Sequence, residues 1–244
     1  MRTAVIVAGA LREMELCSKT WKFPFHADWH LITWSTTSFD RSGVFEPADL
    51  SAVHKSAVKF LSSHVYDRET SGIEMMFSGN PKAVTWFWKT AYELFGNSYD
   101  RFVFIRPDLF LWSKAPFPAN YDPRVSGAAF HGTREPAWAH DQFFVVSADQ
   151  LRILADVYNV IRVKDTAYGE NDVHNHLGEL IEDGRIEFNF TDLEAFHSFV
   201  ARPNSRHLSN EAITYELARE VNLLTARWWN ENVGSPSYEG LLLP

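Results

Sequence analysis

Two short runs decide what this chain can fold into: "TAVIVA" (residues 3–8) and "DQFFVVS" (141–147). Each holds an unbroken apolar run, Ala4 to Ala8 and Phe143 to Val146, rich in β-branched or aromatic residues. A strand that faces water on one side alternates apolar with polar; one covered on both faces does not. "YDRFVFIRPDLFLW" (99–112) holds a third such run, Phe102 to Ile105, and five aromatic residues. Between these runs lie stretches with helical spacing and helix caps. Strands that alternate with helices and are buried on both faces predict an α/β fold with a mostly parallel central sheet flanked by helices.

Further elements follow in order. "ALREMELCSKTW" can be helical, and "DWHLITWSTT" reads as a second strand. "EPADLSAVHKSAVKFLSSH" predicts a helix, because Leu50, Val53, Ala57, Val58 and Leu61 recur at helical spacing. "NPKAVTWFWKTAYELFGN" predicts another, with Asn80 as cap, Pro81 in the first position and Gly96 at the stop. "RVSGAAFHG" and "DQFFVVS" read as strands, after which Ser147 caps the helix "ADQLRILADVYNVIRV". "GENDVHNHLGELIEDG" is a helix bounded by glycines, "RIEFNF" a late strand and "NEAITYELAREVNLLTARWWNEN" a long C-terminal helix. No repeat or low-complexity linker divides the 244 residues, so they are expected to form one domain.

Composition narrows the function classes. The formal net charge is -8, and neither sign forms a long run. A duplex nucleic-acid binder would show a basic patch, and none is visible. Cys17 is the single cysteine, which excludes an intrachain disulfide and a cysteine zinc site. That fits a reducing, cytoplasmic compartment. The apolar run in "MRTAVIVAGALREME" is too short for a signal peptide or a membrane span, so no transmembrane segment is expected.

In a largely parallel sheet, ligands sit beyond the carboxyl ends of the strands. Gly9 to Arg12, Thr33 to Thr37 and Arg106 to Asp108 all fall at such ends and could line one crevice. The question is sharpest at Arg106-Pro107-Asp108. A guanidinium and a carboxylate at the edge of an aromatic core must be solvated, paired or used.

The ordered set "VIVAGALR", "LITW", "YDRFVFIRPDL", "HDQFFVVS" and "GENDVHNHL" resembles the GT-A-type glycosyltransferase-like proteins of bacterial and viral polysaccharide synthesis. The likeness in order and rough spacing runs over about 180 residues. It implies a single GT-A-like, Rossmann-like domain over 1–244. Residues 1–112 would form the nucleotide-sugar-binding half and 113–208 the acceptor half; 209–244 would be a C-terminal helix and tail. It implies a nucleotide-sugar donor, a glycan or other hydroxyl acceptor, and usually a divalent metal, Mn²⁺ or Mg²⁺. The family's Asp-x-Asp metal motif is represented here only by Arg106-Pro107-Asp108, with one carboxylate. That one carboxylate could still hold a metal with diphosphate oxygens, or Arg106 could neutralise the diphosphate itself.

The resemblance assigns donor binding to Gly9, Arg12, Thr33, Trp34, Ser35, Arg106 and Asp108. Each has a plainer structural reading. Gly9 and Arg12 could form an ordinary β-α turn, Trp34 could be core instead of a base-stacking floor, and Arg106 with Asp108 could be a strand-end salt bridge. On the acceptor side, Asp141 would be the general base, with Glu170 and Asp172 as further acidic candidates. Alternatively, Asp141 caps the strand and the acidic residues complement a helix dipole. His140 and Trp138 would contact the acceptor, Trp138 as a sugar platform. A late histidine, His197 or His207, would join Asp108 at the metal. His26 and His30 lack a zinc context, His174 and His176 read as ordinary helix residues, and Cys17 reads as a small buried hydrophobe. Two other functions are weighed against transfer. One is a catalytically silent nucleotide- or glycan-binding module of the same fold. The other is a nucleotidyltransferase, which would want a glycine-rich basic loop where "AGALREME" offers one glycine and one basic residue.

Overall fold

The computed structural model describes residues 1–11, 14–21, 23, 25–37, 46–68, 70–71, 81–113, 120–132, 139–161, 173–187 and 196–200. They form an α/β fold around a six-stranded sheet. Its strands are β1 (Thr3–Ala8), β2 (Asp28–Trp34), β5 (Ser62–Tyr66), β6 (Arg101–Ile105), β8 (Ala129–Gly132) and β9 (Ala139–Ser147), in the order β5-β2-β1-β6-β9-β8. Four neighbours, β5, β2, β1 and β6, run parallel; β9 and β8 are antiparallel additions at one side. Two small ladders lie apart. β3 (Thr36–Thr37) pairs with β4 (Glu46–Pro47), and β7 (Leu109–Ser113) pairs with β10 (Phe196–Val200).

The unbroken apolar runs are explained by two cores, one on each face. Ala4, Ile6, Ile32, Phe102, Phe104, Phe144 and Val146 point to one face. Helices α3 (Pro81–Phe95), α5 (Ala148–Val160) and α6 (Val173–Glu182) cover it. The alternate residues Val5, Val7, Leu31, Val103, Ile105, Phe143 and Val145 point to the other. Leu11, Trp21 and the short helix α1 (Met14–Cys17), continued as a 3-10 turn over Ser18–Thr20, pack there with α2 (Ser51–Lys55) at the margin. Across β6 and β9, Phe104 stacks on Phe144 with ring centroids 4.6 Å apart. Such cross-strand pairs hold register as well as area.

Several helix ends follow the sequence, although Asn80, the expected cap of α3, lies outside the described residues. Pro81 opens α3, where its missing N–H is no loss. Ser147 caps α5 in a reciprocal capping box with Gln150. Gly184, at φ +68°, follows the last turn of α6. Cys17 is fully buried, as a small hydrophobe would be. The fourth helix, α4 (Pro123–Ser126), sits just before β8 and takes Asp122 as its cap. It replaces the first part of the strand expected over 124–132.

Two expectations need correction. The helix expected over 46–64 is helical only over Ser51–Lys55, and Ser62–Tyr66 is the edge strand β5. Its alternating exposure and its parallel ladder to β2 outweigh a weak helical period. The strand expected in "RIEFNF" begins instead as a turn: Arg185 and Ile186 both donate backbone N–H bonds to Leu180 O. Glu187 O accepts from Ala128 N–H at 2.6 Å; residues 188–190, and the C-terminal helix expected from 209 on, lie outside the described residues. Among the described residues, no helix is long and apolar enough to cross a membrane.

Candidate functional site

The carboxyl ends of β1, β2 and β6 meet as the sequence suggests. Gly9, at the end of β1, takes φ +140°, a conformation that favours glycine. A Cβ there would stand 2.9 Å from Pro107 Cδ, so the turn after β1 packs directly on the turn after β6. Gly9 N–H donates to Ile32 O at 3.2 Å, and the Thr33 hydroxyl donates to Gly9 O at 2.7 Å. Three strand ends are thereby tied into one edge.

Arg106 and Asp108 form a two-pronged pair across Pro107. Nε donates to Oδ1 at 3.1 Å and Nη2 to Oδ2 at 2.8 Å. Asp108 is 2% exposed, whereas the Arg106 side chain keeps 22%. The carboxylate is thus the buried partner and the guanidinium the more exposed one. This bears on the expected metal. Both oxygens of Asp108 face the Arg106 fork, and a cation there would compete with a guanidinium for the same atoms. Among the described residues, no three His, Cys, Asp or Glu side chains gather as a metal site. In this arrangement Asp108 orients Arg106.

Thr33 and Trp34 also need correction. They are 0% and 1% exposed, so neither offers a surface to a nucleobase. Trp34 shares its face with Ile32, and its ring lies 4.4 Å from Trp86 and 4.9 Å from Phe87. It is core, and Thr33 is a clamp for the Gly9 turn. Ser35 is half-buried at the rim. Its N–H donates to Tyr66 O at 2.7 Å, and its hydroxyl approaches Asp67 Oδ2 at 3.5 Å.

The end of β5 brings in residues that the sequence reading missed. Asp67 shapes a tight turn by accepting from Thr70 N and from the Ser71 hydroxyl. Arg68 lies 6% exposed with its guanidinium 5.2 Å from the Trp34 ring centroid. Burial pulls its pKa down to about 10. The signal available in sequence was the "YDR" that closes β5, as "YD" and Arg101 open β6.

β9 delivers the acceptor-side candidates to the same edge. It runs antiparallel to β6 with Ile105 opposite Phe143. Asp141 is two residues further along, toward the side where β6 ends in Arg106-Pro107-Asp108. His140 lies beside it, opposite His131 of β8. In the β7–β10 ladder His197 stands opposite Trp112. Of His140, Asp141 and His197 the structure describes the backbone. Arg12, Trp138, Glu170, Asp172 and His207 lie outside the described residues.

No protein-family model matches the chain, and no curated protein matches it.

Proposed function

We propose that the chain is a GT-A-like glycosyltransferase, which moves a sugar from a nucleoside diphosphate sugar to a hydroxyl of a glycan or similar acceptor. One observation carries the reading. Gly9, Arg106 and the backbone of Asp141, far apart in sequence, converge on the carboxyl edge of the parallel strands, where α/β sheets bind ligands. Gly9 lets the turn after β1 pack on Pro107 and so fixes the segment that carries Arg106. Arg106, held by Asp108, meets charge on the departing diphosphate. Asp141 takes the proton of the acceptor hydroxyl. The compartment proposed is the cytoplasm.

The Arg106–Asp108 pair also favours a second reading, a silent binding module, because it replaces the family's second metal carboxylate. Turnover separates the two: a transferase releases free nucleoside diphosphate from the donor, and a binder does not. With Asp108 committed to Arg106, release is expected to persist in EDTA. Its loss on chelation would place a metal on other ligands and return the charge-neutralising role to that metal.

A further inference from the structure

At the opposite pole, the amino ends of β2 and β5, a chain of polar groups runs through apolar surroundings. His30 is 3% exposed and stacks on Phe95 of α3 at 4.2 Å. Its Nε2 lies 2.9 Å from the Tyr99 hydroxyl, and its Nδ1 lies 2.8 Å from Ser62 Oγ. Tyr99 donates its proton to Asp28 Oδ2 at 2.9 Å. His64 Nε2 reaches the same Ser62 Oγ at 3.0 Å.

The direction of each bond follows from what its atoms can do. An ionised Asp28 only accepts, so the Tyr99 proton is committed to it, and Tyr99 O must accept from His30 Nε2–H. A neutral imidazole with Nε2–H has Nδ1 as an acceptor, so the Ser62 hydroxyl donates to Nδ1. Ser62 Oγ then accepts from His64 Nε2–H. The run is polarised from end to end: His64 to Ser62 to His30 to Tyr99 to Asp28.

We propose that this chain is an acid-sensitive lock, which in its neutral form ties edge strand β5 and the Tyr99 turn to β2. Protonated His30 would turn Nδ1 into a donor. Ser62 Oγ has two lone pairs and could accept from both histidines, but its own proton would lose Nδ1 as acceptor, and a charged ring would sit 3% exposed against Phe95. Burial lowers the His30 pKa against the opposing pull of Asp28, and His64 adds to the lowering. Burial also lowers that of His64. The other charged groups here are Arg2, which lies 3.9 Å from Asp28 and over the Tyr99 ring, and Asp100, which accepts from Arg2 N–H. With folded pKa values below the usual histidine value of about 6.5, the unfolded chain binds more protons. The lock's contribution is complete above about pH 6.5 and is lost as pH falls from there through the folded values.

The test is made on the full chain. Ring ¹⁵N spectra at pH 7.5 should show His30 and His64 neutral and protonated on Nε2. Amide exchange over Ser62–Tyr66, corrected for its intrinsic pH dependence, should lose protection by up to about tenfold per histidine across the pH unit below 6.5. His30→Gln, which does not titrate, should flatten that loss; Ser62→Ala, which breaks the chain without entering the core, should do so if the first variant fails to fold. His30 charged or carrying its proton on Nδ1 at pH 7.5 would overturn the proposal. So would an undiminished acid loss in whichever variant folds.

Discussion

Asp141→Asn is expected to leave donor affinity near that of the wild type and to lower the transfer rate by about 10²–10⁴-fold, the range a general base contributes. β6 ends at the carboxyl edge of the parallel strands, and β9 enters from beyond that edge because the two strands are antiparallel, with Ile105 opposite Phe143. Asp141 lies within β9, two residues beyond the Ile105–Phe143 pair, so a strand and not a loop carries it to the carboxyl edge. The asparagine keeps size and hydrogen-bonding capacity but cannot accept a proton at neutral pH. Steady-state transfer and donor titration, made on the same preparation, separate rate from binding. Wild-type turnover would move the base to Glu170 or Asp172.

Arg106→Ala should carry two costs. It takes the two-pronged partner from a carboxylate that is 2% exposed, and breaking a buried ion pair typically destabilises by about 3–5 kcal/mol. Arg106 retains 22% side-chain exposure, so urea unfolding should report a loss near the lower end. The folded variant should also bind nucleoside diphosphate sugar roughly 10- to 100-fold more weakly, the worth of a lost charge-assisted contact. A stability loss with unchanged affinity would make the pair purely structural. A double-mutant cycle with Asp108→Asn isolates the pair's own coupling.

These predictions show where sequence carried the argument and where it stopped. β1, β6 and β9 were legible because burial on both faces leaves an unbroken apolar run. α3 and α5 were legible because Pro81 and the Ser147–Gln150 box mark their starts. β5 was not: "SSHVY" is a polar edge strand whose only strong feature is its partner β2, which no local pattern reveals. Trp34 was open between core and ligand floor until the register of β2 set it beside Ile32 on the helix-covered face. Parity along "LITW" held part of that answer, since alternate residues share a face. The Arg106–Asp108 pair is legible in sequence, but which partner is buried is set by tertiary packing: the Asp108 side chain is 2% exposed and that of Arg106 22%. The His30 chain could not be read from sequence, because it joins residues from 28 to 99 across two strands and a turn.

The most direct test of the central claim is a thermal-shift screen of the full chain against UDP, GDP, dTDP and CMP, each with and without Mn²⁺. A donor crevice at the carboxyl edge predicts that at least one of these nucleotides stabilises the fold, by about 2.7 kcal/mol at 100 times its Kd, and that Arg106→Ala diminishes the gain. An unfolding midpoint that none of the four moves, in either metal condition, would contradict it.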